Sequence, residues 1–160
     1  MKSPQHGYAL RSLSRALRYL WAAPYSAVGL ALGVVALLCG ASVRVRSGAL
    51  EFGGGRIWGV LTRCPRPVSF CAITFGHVIL GVDHATLDTV RPHEQVHVRQ
   101  YERWGLLFIP AYLVSSLAQL VRRRDPYRDN FFEREARAKA AHASVMTQTK
   151  SGAHAAHPLP

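Results

Sequence analysis

The stretch Arg91-Pro92-His93-Glu94-Gln95-Val96-His97-Val98-Arg99-Gln100 decides what this chain can build. A proline is tolerated in the first turn of a helix, and the residues from Asp88 to Trp104 predict one. Residues four apart on an α-helix are about 400° apart around its axis and therefore share a face, one turn apart. The two histidines should thus project side by side, with Glu94 about 100° round from His93.

These three side chains match the needs of metal-assisted hydrolysis. A zinc hydrolase needs neutral nitrogen ligands at about 2 Å, an open position for water and a carboxylate that takes the proton of that water. His93 and His97 are candidate metal ligands and Glu94 is a candidate general base, in a spacing typical of zinc metalloproteases. The alternative is a pair of core histidines satisfied by hydrogen bonds, although burying two imidazoles without a ligand is costly.

The predicted helix has one inward face. Gln100 falls within about 20° of the histidine face, so we expect it to hold a ligand in place or to pack beside it. The opposite side carries mainly charged and polar residues: Arg91, Gln95, Arg99, Glu102 and Arg103. The pattern predicts histidines that point into the protein.

A third metal ligand must come from elsewhere in the chain. The candidates are Glu133 and Glu135, in Asn130-Phe131-Phe132-Glu133-Arg134-Glu135-Ala136. The spacing of Asn130 and Glu133 is also that of a capping box, in which the glutamate bonds back to the backbone at the helix start. The sequence leaves both possibilities open.

These motifs resemble the gluzincin class of zincins, especially the membrane-bound metallopeptidases related to the prenyl-protein and heat-shock membrane proteases. The resemblance implies a bound zinc ion, peptide-bond hydrolysis, and a third ligand at the first Glu of a Glu-x-x-Ala pattern, which Glu133 to Ala136 fits. It also implies that Gly76-His77-Val78-Ile79-Leu80 is the substrate strand. An extended peptide would then pair with His77, Val78 and Ile79 along the strand edge.

A long uncharged segment precedes these motifs. Residues 19–41 carry no charge, and at about 1.5 Å per residue they reach across a hydrocarbon core of about 30 Å. Tyr19, Trp21 and Tyr25 lie at one end, where an aromatic belt belongs. We expect an uncleaved transmembrane anchor at 19–41 after a basic segment at 1–18, in a single-pass protein of a bacterial inner membrane. The positive charges on its two sides do not decide which side the domain faces.

The remaining pattern predicts an α+β fold. Val43 to Arg46 alternates, Ser47-Gly48 is a turn signal, and Ala49 to Phe52 returns as a hairpin. Further β-rich runs cover 57–61, 68–75 and 77–80. We predict a transmembrane helix and then a minimal zincin-like domain at 42–144, with a small β-sheet and about three helices, followed by a disordered tail at 145–160.

A second apolar run, Trp104 to Val121, constrains the topology. It is near the lower length limit for a membrane span. A single crossing would place Glu133 and the histidine pair on opposite sides of the membrane, where they could not share a metal. If Glu133 is a ligand, this run is therefore a core helix, a re-entrant segment or a helix that lies on the membrane surface.

Composition narrows the classes of function. Half of the chain is hydrophobic (49%), which excludes a disordered protein. The net charge is +11, from 20 Lys and Arg against 9 Asp and Glu, but no basic run is interleaved with aromatics, so we expect no nucleic-acid partner.

Two functions from different classes follow. The first is a membrane-anchored zinc metallopeptidase with a peptide or protein substrate. The alternative is a non-catalytic membrane protein on a zincin scaffold, with a structural metal or none, that acts by binding partners. The sequence does not determine the oligomeric state.

Overall fold

The fold is a small mixed sheet with helices on both faces. The computed structural model describes residues 4–56 and 71–155, with side chains at 16–56 and 71–146. Its elements are α1 (Pro4–Leu38), β1 (Ser42–Arg46), β2 (Ala49–Gly53), β3 (Ala72–Phe75), β4 (Val78–Gly81), α2 (His84–Trp104), α3 (Phe108–Val121) and α4 (Phe131–Ala155), with a 3₁₀ turn at Gly105–Leu107. The predicted α+β class, with a four-stranded sheet and three helices after an apolar N-terminal helix, is confirmed.

The sheet has the strand order β1-β2-β4-β3. The predicted hairpin is confirmed, because β1 and β2 pair antiparallel around the turn at Ser47-Gly48. β2 runs parallel to β4, and β4 pairs antiparallel with β3. β4 is therefore an inner strand, while β1 and β3 form the two edges of the sheet in the described part of the chain. The predicted run at 57–61 lies outside the described residues.

Side chains that alternate along the strands contribute to two separate hydrophobic cores, one on each face of the sheet. Phe52, Val78 and Leu80 face one side of the sheet and form one buried cluster. Ile79 points to the other side, where it packs with Leu87 and Val98 of α2. Successive side chains of a strand point to opposite faces, so the short inner strand β4 supplies both cores.

α1 covers the first of these faces through small residues. Ala22 and Ala36 are buried, and a Cβ atom added at Gly29 would lie 2.7 Å from Cβ of Val78. Segment Ala16–Leu38 is long and apolar enough to cross a membrane by length and composition, and His84–Val121 passes the same test. α1 is thus more than a detached anchor, because one narrow face of it packs on the sheet.

The helix boundaries differ from the predicted ones in two places. α1 is one helix from Pro4 to Leu38, so it takes in most of the basic segment at 1–18 and ends before 41. α4 runs on to Ala155, so it includes 145–155, the first part of the segment that the sequence predicted to be a disordered tail. No proline interrupts this segment before Pro158, so nothing in it forces α4 to end at Ser144.

α2 begins earlier than the sequence predicted. The Asp83 carboxylate accepts a hydrogen bond from the backbone N–H of Thr86 at 2.6 Å and caps the helix start. The helix ends at Gly105, whose φ of +52° lies in the left-handed region. A side chain at Gly105 would also overlap the ring of Trp21, so this glycine permits both the turn and the contact with α1.

A buried carboxylate joins α2 to the sheet. Glu51 of β2 is fully buried, and it accepts hydrogen bonds from Arg44 Nε at 2.8 Å and Arg91 Nε at 2.7 Å. Both arginines also contact Asp88. Burial alone would raise the pKa of Glu51, but the two guanidinium groups outweigh it and hold this pKa below its ordinary value. Since Arg91 directly precedes Pro92 and His93, the network fixes the start of the histidine segment.

We predict that Glu51→Gln lowers the free energy of unfolding at neutral pH by about 2 kcal/mol, because it removes the buried charge that two partly exposed guanidinium groups bind. A carboxyl whose pKa is lowered by folding stabilises the protein above its unfolded pKa of about 4.3, and this contribution is lost as the pH falls. The deficit of the variant should therefore shrink below about pH 4. Denaturant unfolding in detergent micelles between pH 7 and pH 3 measures it.

Asp88→Asn is the matched control, because Asp88 contacts the same arginines but is half exposed (54%). Its effect should be much smaller than that of Glu51→Gln, because water screens an exposed ion pair. A deficit of the Glu51 variant that is independent of pH would contradict the assignment.

Candidate metal centre

Three side chains from two helices converge at one point. His93 Nε2 and His97 Nε2 lie 3.1 Å apart. The carboxylate of Glu133 lies against both, with Oε2 at 3.3 Å from His93 Nε2 and Oε1 at 3.4 Å from His97 Nε2. Each residue offers one ligand atom, and these three atoms lie within 4.8 Å of one another. α2 supplies the histidines one turn apart, as the spacing predicted, and the first turn of α4 supplies the glutamate.

These separations fit a tetrahedral cation. Ligand atoms about 2.0–2.1 Å from a common zinc ion are about 3.3 Å from one another. The two histidine nitrogens lie 3.1 Å apart, and each lies 3.3–3.4 Å from a different oxygen of the Glu133 carboxylate. Glu133 is 3% exposed, and its Oε2 atom is buried without a hydrogen bond among the described residues. A buried carboxylate oxygen without a hydrogen bond is costly, and a bound cation would stabilise it.

Gln100 fixes the orientation of His97. Its side-chain amide nitrogen donates to the backbone carbonyl of Phe132 at 3.1 Å and to Glu135 at 2.9 Å. Its Oε1 atom must therefore be the acceptor for His97 Nδ1, at 2.8 Å. With the proton on Nδ1, the lone pair of Nε2 is free and directed at the candidate metal centre, the arrangement typical of metal-binding histidines.

The capping-box alternative for Glu133 does not hold. The N–H of Asn130, which a capping box would give to Glu133, donates to the Tyr127 carbonyl at 3.2 Å. Asn130 caps α4 by itself, because its Oδ1 accepts from the N–H of Phe132 at 2.9 Å. The Glu133 carboxylate instead accepts a hydrogen bond from the Tyr112 hydroxyl at 3.0 Å and faces the histidines.

Glu135, the other candidate, does not join the group. Its Oε2 accepts from Gln100 and its Oε1 accepts from Lys139 at 2.6 Å. Two residues further along a helix, it lies about 200° round from Glu133. Its position is that of a support for Gln100.

The electrostatics of Glu133 agree with a role as an ionised ligand. Burial would raise its pKa, but the adjacent rings of His93 and His97 outweigh burial and hold the pKa of Glu133 well below its usual range. The carboxylate therefore stays charged throughout the neutral range, and a charged carboxylate is the form that binds a metal.

Glu94 lies beside this group without entering it. It is 7% exposed, and its Oε2 accepts a hydrogen bond from the Thr74 hydroxyl at 2.6 Å. Thr74 belongs to the edge strand β3, which the sequence did not link to the site. Its position two residues before Gly76 carries no signal of its own, since only the approach of β3 to α2 brings it to Glu94.

A narrow cleft of about 170 Å³ opens onto the candidate ligands. His93, Glu94, His97 and Glu133 line it together with the whole of β3. Further lining residues are mainly aromatic and come from α2, α3 and the segments around them: Tyr101, Phe108, Ile109, Tyr112 and Tyr127. The cleft is thus a largely apolar slot between a strand edge and aromatic side chains.

The predicted substrate strand does not line this cleft. Val78 and Ile79 belong to β4, whose two edges are occupied by β2 and β3, so no peptide can pair there. His77 is buried, stacks on Tyr19 with ring centroids 3.8 Å apart, and lies 3.2 Å from Glu102. Among the described residues, the strand with an unpaired edge at the cleft is β3, one strand earlier in the chain.

Comparison with known proteins gives no independent assignment: no family model, no curated protein and no solved structure matches this chain. Function is therefore inferred from the geometry of the site.

We predict that Gln100→Met weakens binding of Zn²⁺ or Co²⁺ by about 10- to 100-fold, because His97 loses the acceptor that fixes its orientation. Titration of the detergent-solubilised chain against a competing chelator measures the affinity. Gln95→Met is the matched control, since Gln95 lies on the same helix but lines a different cavity. Equal affinities in the two variants would show that Gln100 serves packing alone.

Proposed function

We propose that this chain is a membrane-anchored zinc metallopeptidase of the gluzincin type. One observation carries the proposal: His93, His97 and Glu133 converge within 4.8 Å, and the carboxylate of Glu94 is held beside them. The resemblance of these motifs to the membrane-bound gluzincins agrees with it.

The donor set favours zinc over other metals. Two neutral imidazoles and one carboxylate, with a position left open, are the ligands of catalytic zinc in several metalloproteases. Calcium and magnesium prefer oxygen ligands alone. When bound there, zinc would activate water and polarise the substrate carbonyl as a Lewis acid.

Glu94 would act as general base and then as proton carrier. The Thr74 hydroxyl donates a hydrogen bond to Oε2 of Glu94, so Oε1 remains free to accept a proton. Oε1 would take this proton from the attacking water while the water oxygen bonds to the peptide carbonyl carbon. The C–N bond then breaks, and the leaving nitrogen receives the proton from Glu94. The water oxygen ends in the new carboxylate. Its first proton reaches the peptide nitrogen through Glu94 and its second proton protonates the new amine, so the step needs no further reactant.

β3 is the proposed docking site for the substrate. Its outer edge is unpaired within the described residues, and its side chains line the cleft. An extended peptide could add to this edge through backbone hydrogen bonds. α1, with its apolar segment Ala16–Leu38, would hold the site at the membrane as a single-pass anchor.

A second candidate function is a non-catalytic membrane protein with a structural metal. The small cleft favours it, because about 170 Å³ is below the usual 300–1,000 Å³ of a ligand pocket. Removal of the metal separates the two candidates. A structural site should unfold without metal, whereas a catalytic site should survive as a folded apo-protein.

We predict about one bound zinc ion per chain, with its loss in Glu133→Gln and its retention in Glu135→Gln. Only Glu133 faces the two histidines, although both glutamates belong to the same short sequence motif. Elemental analysis of the solubilised proteins measures the zinc, and circular dichroism before and after chelation shows whether the apo-protein remains folded. Zinc in neither the parent nor the reloaded parent would contradict the proposal.

We predict that Glu94→Gln retains zinc but loses at least 100-fold in hydrolysis, because the amide cannot accept the proton of the water. The probe is fluorescence-quenched casein, an unfolded polypeptide that can adopt an extended strand. Glu102→Gln, on the same helix and away from the cleft, should keep the parent rate. Full activity in the Glu94 variant would overturn the mechanism, and a parent that binds zinc without cutting casein would favour the structural-metal alternative.

A further inference from the structure

α3 carries an apolar stripe that nothing else in the described part of the chain covers. Its members are 59–76% exposed. At about 100° per residue they fall within a sector of about 120° on one side of the helix. They are Leu113, Val114, Leu117, Leu120 and Val121. Exposed apolar patches of this kind mark an interaction surface.

Hydrogen bonds hold this stripe outward. On the opposite side of α3, Asn130 donates to the carbonyl of Tyr112 at 3.0 Å and to the hydroxyl of Ser116 at 2.7 Å. The N–H of Phe131 donates to the Ser115 hydroxyl at 3.0 Å. α3 cannot turn its stripe into the protein without breaking these bonds and moving Tyr112, which binds Glu133.

α3 starts at the aromatic end of the apolar segment of α1. The hydroxyl of Tyr25 donates to the carbonyl of Leu106 at 3.1 Å, and Trp21 lies against Gly105. Tyrosine and tryptophan after a basic segment are typical of the level where a membrane meets water. The 3₁₀ turn that leads into α3 is therefore fixed beside the aromatic end of α1.

The far end of α3 is strongly basic. Arg122, Arg123 and Arg124 follow Val121 directly, are exposed, and make no ion pair within the described residues. With 14 residues, α3 is about 21 Å long, which is too short to cross a hydrocarbon core of about 30 Å. An apolar stripe that ends in arginines suits the surface of an anionic bilayer.

We propose that α3 is an interfacial helix: its stripe inserts into the bilayer surface, parallel to the membrane, and Arg122 to Arg124 bind anionic phospholipid headgroups. This contact is additional to α1, and it does not depend on the metal centre. Because the inner side of the same helix lines the cleft through Phe108 and Tyr112, it places the cleft beside the lipid surface.

Spin labels at Leu113→Cys, Leu117→Cys and Val121→Cys test the proposal in the full chain. The native cysteines are replaced by alanine, and the protein is reconstituted into phosphatidylcholine vesicles with and without phosphatidylglycerol. We expect all three labels to collide with oxygen in preference to a water-soluble nickel chelate, at similar depths of about 5–10 Å. A label at Ala138→Cys, on the exposed side of α4, should show the reverse preference.

The arginines should make insertion depend on lipid charge. Each contributes about fivefold to the ratio of inserted to free helix on an anionic membrane, so Arg122→Gln, Arg123→Gln and Arg124→Gln together should reduce the oxygen preference to its value in phosphatidylcholine alone. A Leu117→Trp variant of the parent chain, compared with Ala138→Trp for the extra quenching by brominated lipid, gives the same answer without removal of cysteines.

Three results would overturn the proposal. Labels accessible to water in every vesicle would show a solvated helix. Labels shielded from both oxygen and nickel would show a protein partner or a second copy of the chain on the stripe. Depths that differ by about 12 Å between positions 113 and 121 would show a helix that enters the membrane end-on.

Discussion

The site depends on the buried amide of Gln100. This side chain binds His97, the carbonyl of Phe132 and the carboxylate of Glu135 at the same time. Since each of these groups would be costly to bury alone, the amide fixes how α4 lies against α2. Glu133 follows Phe132 directly, so the same contact determines where its carboxylate points. The orientation of one candidate ligand and the position of another thus have a common cause.

The apolar segment between α2 and α4 has to bring the start of α4 back beside α2. The 3₁₀ turn at Gly105–Leu107 redirects it, and Asn130 ties the far part of α3 to the start of α4 through Tyr112 and Ser116. The two sides of α3 then have different surroundings. Its inner side lines the cleft and positions Glu133, whereas its outer side is apolar and exposed.

The sheet supports the site from the other side of α2. Glu51 binds Arg91 at the start of the histidine segment, and Thr74 holds the carboxylate of Glu94. α1 closes the opposite face of the sheet with small side chains, so the helix that is apolar enough to enter a membrane also completes the core. A movement of α1 would therefore reach β3, the strand that lines the cleft.

The features that depend on neighbouring residues could be predicted from the amino-acid sequence. The spacing of His93, Glu94 and His97 on a helix, the inward direction of Gln100 and the hairpin from Val43 to Phe52 all follow from the periods of helix and strand, which depend only on neighbouring residues. The sequence also identified Glu133 and Glu135 as candidates, because both belong to one short motif.

The contacts between groups far apart in sequence became known only from the folded structure. In the folded chain, Glu133 rather than Glu135 lies against the histidines, and the N–H of Asn130 donates to the carbonyl of Tyr127. Among the described strands, β3 rather than β4 lies at an edge of the sheet. Strand order and helix packing are set by contacts between segments far apart in sequence, and local periodicity does not encode those contacts. For the same reason the role of Thr74 could not be predicted from the sequence. Its hydroxyl contributes to the site only because folding brings Glu94 within hydrogen-bonding distance.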